Sequence, residues 1–205
     1  MRVVGFSGYS GSGKTTLVEQ LIAHLRLAGQ RVSVIKHAHH AFDIDQPGKD
    51  SYRHRAAGAF EVVIASRRRL AKIREYELEA EPTAHQLLAE LYDCDWALVE
   101  GFKHADLLKI EVWRATNGKP AQYGDDPFVV AIATDSPQAL PHPTALPVLD
   151  LNDPDAIVRF LLANPGRFDY RSPLFDDHHP DDPGAADAQP GSGGAAVARR
   201  DPGAG

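Results

Sequence analysis

Apolar positions along the first 36 residues change period twice. Residues 2–7 (RVVGFS) form a short run rich in β-branched side chains and predict a buried strand. Between residues 14 and 28 the apolar side chains are Leu17, Val18, Leu21, Ile22 and Leu25, the stripe of an amphipathic helix, and Gly29 follows as its stop. Residues 31–36 (RVSVIK) return to a strand pattern. Strand, helix and strand in so few residues predict a βαβ unit, with a parallel pair and a right-handed crossover.

Further apolar runs fall at residues 62–65, 96–99, 110–113, 128–133 and 148–149, and helical patterns at 51–57, 83–92 and 154–162, with Thr83 placed as an N-cap. The alternation predicts an α/β protein of the P-loop NTPase type, a mostly parallel sheet with helices on both faces. Residues 67–77 are charged and mixed in period, which leaves their element open.

Composition divides the chain at residue 171. Residues 172–205 hold eleven Pro or Gly among 34, and six Asp against two Arg. Such a segment cannot bury enough apolar surface to offset its chain entropy, so a disordered acidic tail is expected after a nucleotide-binding domain at 1–171. His178 and His179 fall within that tail. The tail carries −4 of the −6 net charge, leaving the domain near neutral at −2. That balance argues against a nucleic-acid-binding surface. The single cysteine, Cys94, precludes an intramolecular disulfide. The absence of a secretory pattern and of a long apolar stretch leads to the expectation of a soluble cytoplasmic protein without a membrane partner.

The chemistry begins at residues 8–15, where Gly8, Tyr9, Ser10, Gly11, Ser12, Gly13, Lys14 and Thr15 complete the pattern G-x-x-x-x-G-K-[ST]. Glycines let successive amides turn toward one anion, and the helix that follows presents its unsatisfied N–H groups to the same place. The Lys14 ammonium can reach β- and γ-phosphates, and the Thr15 hydroxyl can ligate magnesium, a hard cation that prefers oxygen. A purine nucleoside triphosphate with Mg2+ is the expected ligand.

A strand-end carboxylate near the metal is the usual companion of this loop. The run WALVE ends in Glu100 and turns at Gly101, so Glu100 is placed either on magnesium through water or on an attacking water. A second polar cluster follows the second strand, with His37, His39, His40, Asp43, Asp45 and Asp50. In a parallel sheet it opens on the same edge as the phosphate loop. It could bind a transition metal, a phosphorylated substrate, or close around magnesium, with Asp45 and Asp50 as further metal ligands. The histidine spacing does not match a structural zinc site. Asp135, at the end of the strand at 128–133, could accept from a guanine ring, although no Asn-Lys-x-Asp motif is present.

Four segments taken together, GYSGSGKTTL, IKHAHHAFDIDQPGKDSYRHRAAGA, WALVEGFKH and LLKIEVWR, resemble the MobB family, molybdopterin-guanine dinucleotide biosynthesis protein B, over residues 3–162. The resemblance implies a dimeric GTP-binding protein with weak GTPase activity. Its partners would be the molybdenum cofactor guanylyltransferase, which joins GMP to molybdopterin, and the molybdopterin cofactor itself. Carried across, the nucleotide loop falls on Gly8 through Thr16, and the acidic strand end on Glu100. Two other classes remain open: a metallochaperone GTPase using the cluster from His37 to His40, and a small-molecule P-loop kinase with Asp45 or Asp50 as base. Arg67, Arg68 and Arg69 are placed near a strand end, but a solvated basic run is the simpler account.

Overall fold

A computed structural model of the chain describes residues 1–38, 42–78 and 81–175. Its frame is a six-stranded parallel sheet in the order β2-β5-β1-β6-β7-β8. The strands are β1 (Arg2–Ser7), β2 (Val32–Lys36), β5 (Trp96–Glu100), β6 (Lys109–Val112), β7 (Val129–Thr134) and β8 (Val148–Asp150). Strands covered on both faces need apolar residues on both, which is why β5 and β7 are buried at every position.

Alternation along each strand then sorts side chains between two layers. Val4, Phe6, Trp96, Leu98, Ile110 and Val112 face a core completed by α1 (Lys14–Leu27) and α4 (Pro154–Ala163). Val3, Ile35, Ala97 and Val99 face the other way, onto α3 (Ala84–Ala89). Helix α1 buries Leu17, Val18, Leu21 and Leu25, each contributing about 1.5–3 kcal/mol by removal from water. Leu21 is fully enclosed, so Leu21→Ala would cost about 2–5 kcal/mol. Helix α3 starts in a capping box: the Thr83 hydroxyl accepts from the Gln86 amide, and the Gln86 side chain accepts from the Thr83 amide.

Two features differ from the sequence expectation. β1 and β2 are parallel but not neighbours, because β5 inserts between them and pairs with both. The apolar run at 62–65 does not join the sheet. It becomes β3 (Glu61–Ala65), paired antiparallel with β4 (Leu70–Arg74) in a separate hairpin preceded by α2 (Asp50–Ala56). The mixed period at 67–77 is that of a two-stranded ribbon exposed on much of its surface, where Arg74 bridges Glu61 and Glu90.

Met1–Pro173 form one compact unit. The second unit begins at Leu174, and from residue 176 onward, His178 and His179 included, it lies outside the described residues. No helix among the described residues is long and apolar enough to cross a membrane.

Candidate functional site

The loop from Gly8 to Gly13 leaves the carboxyl end of β1; its glycines are dictated by backbone angle, and Gly8 by space as well. A Cβ on Gly8 would stand 2.3 Å from the Val112 carbonyl oxygen, at a φ of 134°. Gly13 takes φ 94° at the mouth of α1, and no side chain caps the first turn there. The amides at the start of α1 thus keep their donors and the positive end of the helix dipole for an anion. Ser7 Oγ and Ser12 Oγ, both buried, have no hydrogen-bond partner among the described residues.

Lys14 Nζ donates to the carbonyls of Gly8 (2.7 Å) and Tyr9 (2.9 Å), so its ammonium lies across the loop. Burial holds Lys14 below the ordinary lysine value. The negative charge of Glu100 opposes that shift, and the positive charge of Lys36 adds to it. Glu100 ends β5 next to β1, only 8% exposed, and its Oε1 accepts from the Thr15 hydroxyl at 2.5 Å. Lys36, at the end of β2, stands 3.8 Å from the same oxygen. A hydroxyl and a buried carboxylate in contact at the start of α1 form an oxygen donor pair of the type that magnesium prefers.

These residues line a cleft of about 1310 Å3, larger than the roughly 300–1000 Å3 of most small-molecule pockets. Gly8, Ser10, Gly11, Gly13, Lys14, Thr15, Thr16 and Glu100 all line it, whereas Ser12 is buried beneath. Its opposite wall carries His37, Phe102, Lys103, His85 and Asp106. His37 packs on the Phe102 ring at 4.6 Å, and its Nε2 lies 2.7 Å from Glu81. Gly101 turns the backbone at φ 91°, and a Cβ there would stand 2.9 Å from His37 Cβ, so glycine is required. The segments around His37 and Gly101, far apart in sequence, are therefore packed against each other.

The remaining candidates lie elsewhere. Asp45 does not line the cleft. Its carboxylate accepts from Ser51 Oγ, from the Gln46 amide and from Arg55, which also binds Asp43 and Glu75. These donors hold Asp45 below the usual carboxylate value despite its burial. Asp50 opens α2 and is almost fully exposed, 3.9 Å from Arg53. His39 and His40 lie outside the described residues, and no group of three or more potential ligands among the described residues could hold a metal ion. Arg67, Arg68 and Arg69 are exposed at the β3–β4 turn, away from the cleft lining.

Asp135 follows β7, and its Oδ2 lies 3.3 Å from Nε of Arg114. Arg114 lines the cleft and packs on Gly13, a position that sequence reasoning missed. Its place just after an apolar run was legible, but its approach to the loop follows from the pairing of β6 with β1, which no local pattern shows. Asn117, in the 3-10 turn Ala115–Asn117, also touches the loop, donating to the Ser10 carbonyl at 3.1 Å.

Two buried charges brace this architecture from β6. Lys109 Nζ donates to the Lys103 and Ala105 carbonyls at 2.8 and 2.7 Å and to Asp126 at 2.9 Å, fixing the wall at Phe102 and Lys103. Glu111 accepts from the amides of Gln122 and Tyr123, and burial raises its pKa.

A parallel sheet of this strand order, with a glycine-rich loop between its central strand and the first helix, defines an α/β protein of the P-loop NTPase type. The model of the MobB family, molybdopterin guanine dinucleotide synthesis protein B, matches residues 3–135. The molybdopterin-guanine dinucleotide biosynthesis adapter proteins of Escherichia coli and Haemophilus influenzae are each 40% identical. Both alignments take in 78% of this chain, with 91% and 86% of those proteins. The crystal structure of a MobB homologue from Bacillus stearothermophilus superposes with a TM-score of 0.60 at 26% identity, over 80% of this chain and 97% of that one. The chain belongs to the MobB family.

Proposed function

We propose that this protein binds GTP with magnesium on the loop from Gly8 to Thr16 and serves as an adapter in molybdopterin-guanine dinucleotide biosynthesis. It would assist the guanylyltransferase that joins GMP to molybdopterin, in the cytoplasm. The observation that carries the reading is the 2.5 Å contact of Thr15 with the buried Glu100, beside an ammonium already drawn onto the loop. Family membership and the named role of the 40% identical relatives support the pathway.

In this reading, amides at the start of α1 hold the phosphates, and Thr15 and Glu100 would hold the metal. Magnesium, when bound, supplies positive charge to the β- and γ-phosphate oxygens. Lys14 neutralises charge growing on the β–γ bridging oxygen as its bond to the γ-phosphorus breaks. Glu100 orients the water that forms the new bond. Hydrolysis is slow, because no arginine among the described residues lines the cleft on the Glu100 side. Asp135 accepts from the guanine ring. The exposed apolar side chains of the β3–β4 ribbon, Val63, Ile64 and Leu70, support a homodimer. No observation among the described residues favours a kinase or a metallochaperone, since the His37 and Asp45 side chains are engaged by Glu81 and by Ser51 and Arg55.

The test is reconstitution. Purified guanylyltransferase is supplied with molybdopterin and GTP, and dinucleotide formation is measured with and without this protein. Stimulation by wild type and not by Lys14→Ala is expected; equal rates in all three reactions would remove the proposed role.

A further inference from the structure

The phosphate loop is flanked by two pairs of charged groups, and Arg114 of the second pair has no part in the reading above. On the β5 side lie Glu100 and Lys36, the charges that act on Lys14. On the β6 side lie Arg114 and Asp135, which end adjacent strands. The Arg114 guanidinium lies against the first helical turn: its Nη2, Cζ and Nε are 3.5, 3.6 and 3.7 Å from the point where a Cβ on Gly13 would stand. Nε is buried and makes no aligned hydrogen bond, only the 3.3 Å ion contact with Asp135. Neither Nη1 nor Nη2 forms a hydrogen bond with any described residue, yet the side chain lines the cleft and is only 34% exposed.

The five donors of Arg114 form a rigid fork suited to phosphate oxygens, and the terminal nitrogens, at the cleft, are free to meet one. The direction of the nucleotide follows from the opposite flank. Thr15 and Glu100 would hold the magnesium that supplies positive charge to the β- and γ-phosphates, so they mark that end of the triphosphate. A triphosphate threaded across the loop from there brings its α-phosphate and nucleoside toward β6 and β7.

We infer that Arg114 is a phosphate-binding residue of this site, with its terminal nitrogens donating to the α-phosphate while Asp135 holds Nε and sets the plane of the fork. The inference rests on the nucleotide site proposed above and adds the residue that fixes the nucleoside end. Arg114 acts on binding and register, not on the γ-phosphate. The Asp135 carboxylate, braced by Arg114 and by the Ser136 hydroxyl at 2.9 Å, is thereby held at the nucleoside end.

The experiment is calorimetric titration of the full chain, wild type, Arg114→Met and Arg114→Lys, with GTP, GDP and ITP in magnesium buffer. Losing a charge-assisted hydrogen bond to phosphate weakens binding about tenfold to hundredfold. For Arg114→Met that loss is expected equally for GTP and GDP, because they share the α-phosphate, with the GTP-to-ITP ratio unchanged. Arg114→Lys retains the charge without the fork and should fall between. A loss confined to GTP would place Arg114 at the γ-phosphate, and a collapsed GTP-to-ITP ratio would place it on the base; either overturns the inference. Unchanged affinities in Arg114→Met, with wild type binding normally, overturn it as well. If wild type binds none of the three, the nucleotide site itself fails and this assignment with it.

Discussion

Lys109→Met tests how the wall of the cleft is held. The side chain is 3% exposed and gives all three ammonium donors to fixed partners: two carbonyls of the segment after β5 and the Asp126 carboxylate. Methionine fills most of the space and supplies no donor, so two carbonyls and one carboxylate lose their partner. Removing one member of a buried ion pair costs about 3–5 kcal/mol. Asp126 is 21% exposed, so water recovers part of that, and the expectation lies toward the lower end, about 3 kcal/mol. For a unit of this size that lowers Tm by roughly 6–12 °C. Urea unfolding of wild type, Lys109→Met, Asp126→Asn and the double variant measures it. The double variant should lose less than the sum of the singles, since removing both charges costs less than stranding one. A loss below about 1 kcal/mol in Lys109→Met, or strict additivity, would refute the argument that this buried ammonium ties the wall to the sheet.

Gly8→Ala should destabilise by about 2–4 kcal/mol, from overpacking against the Val112 carbonyl and from the positive φ, and thermal unfolding at near-wild-type Tm would contradict it. Glu100→Gln should slow GTP hydrolysis more than it weakens GTP binding, because orienting water matters mainly in the transition state; unchanged turnover would move that role to another residue. Glu111 sets a pH dependence. Its folded pKa is raised above the ordinary 4.5 by burial, so the folded state binds its proton more tightly, and this contribution to stability is complete below pH 4.5 and lost as pH rises through the folded value. Glu111→Gln should therefore gain stability relative to wild type on going from acidic to neutral pH in urea titrations. A difference independent of pH would show that Glu111 does not titrate as inferred.

Strands β1, β5 and β7 were legible because they are buried on both faces and read as apolar runs, and the end of β5 located Glu100. Strand adjacency was not legible. That β5 rather than β2 lies beside β1 is a long-range choice, made by which faces bury best, and no local period encodes it. Arg114 was missed for the same reason, since its approach to Gly13 exists only because β6 pairs with β1. Residues 67–77 escaped assignment because a solvated two-stranded ribbon need not alternate cleanly. In KIEV, Lys109 and Glu111 look like the solvent face of a strand, yet both are buried and fully partnered by loops that no window on the sequence includes. Asp45 looked like a ligand because a carboxylate beside histidines fits many roles, and only the fold shows Arg55 reaching it.

The central claim is that amides at the mouth of α1, with one lysine, grip a polyphosphate. Calorimetric titration of wild type and Lys14→Ala with GTP in magnesium buffer addresses it most directly. Saturable heat for wild type and none for a folded Lys14→Ala is the expected result. Wild type that fails to take up either GTP or ATP, or Lys14→Ala that binds GTP with undiminished affinity, would contradict the account.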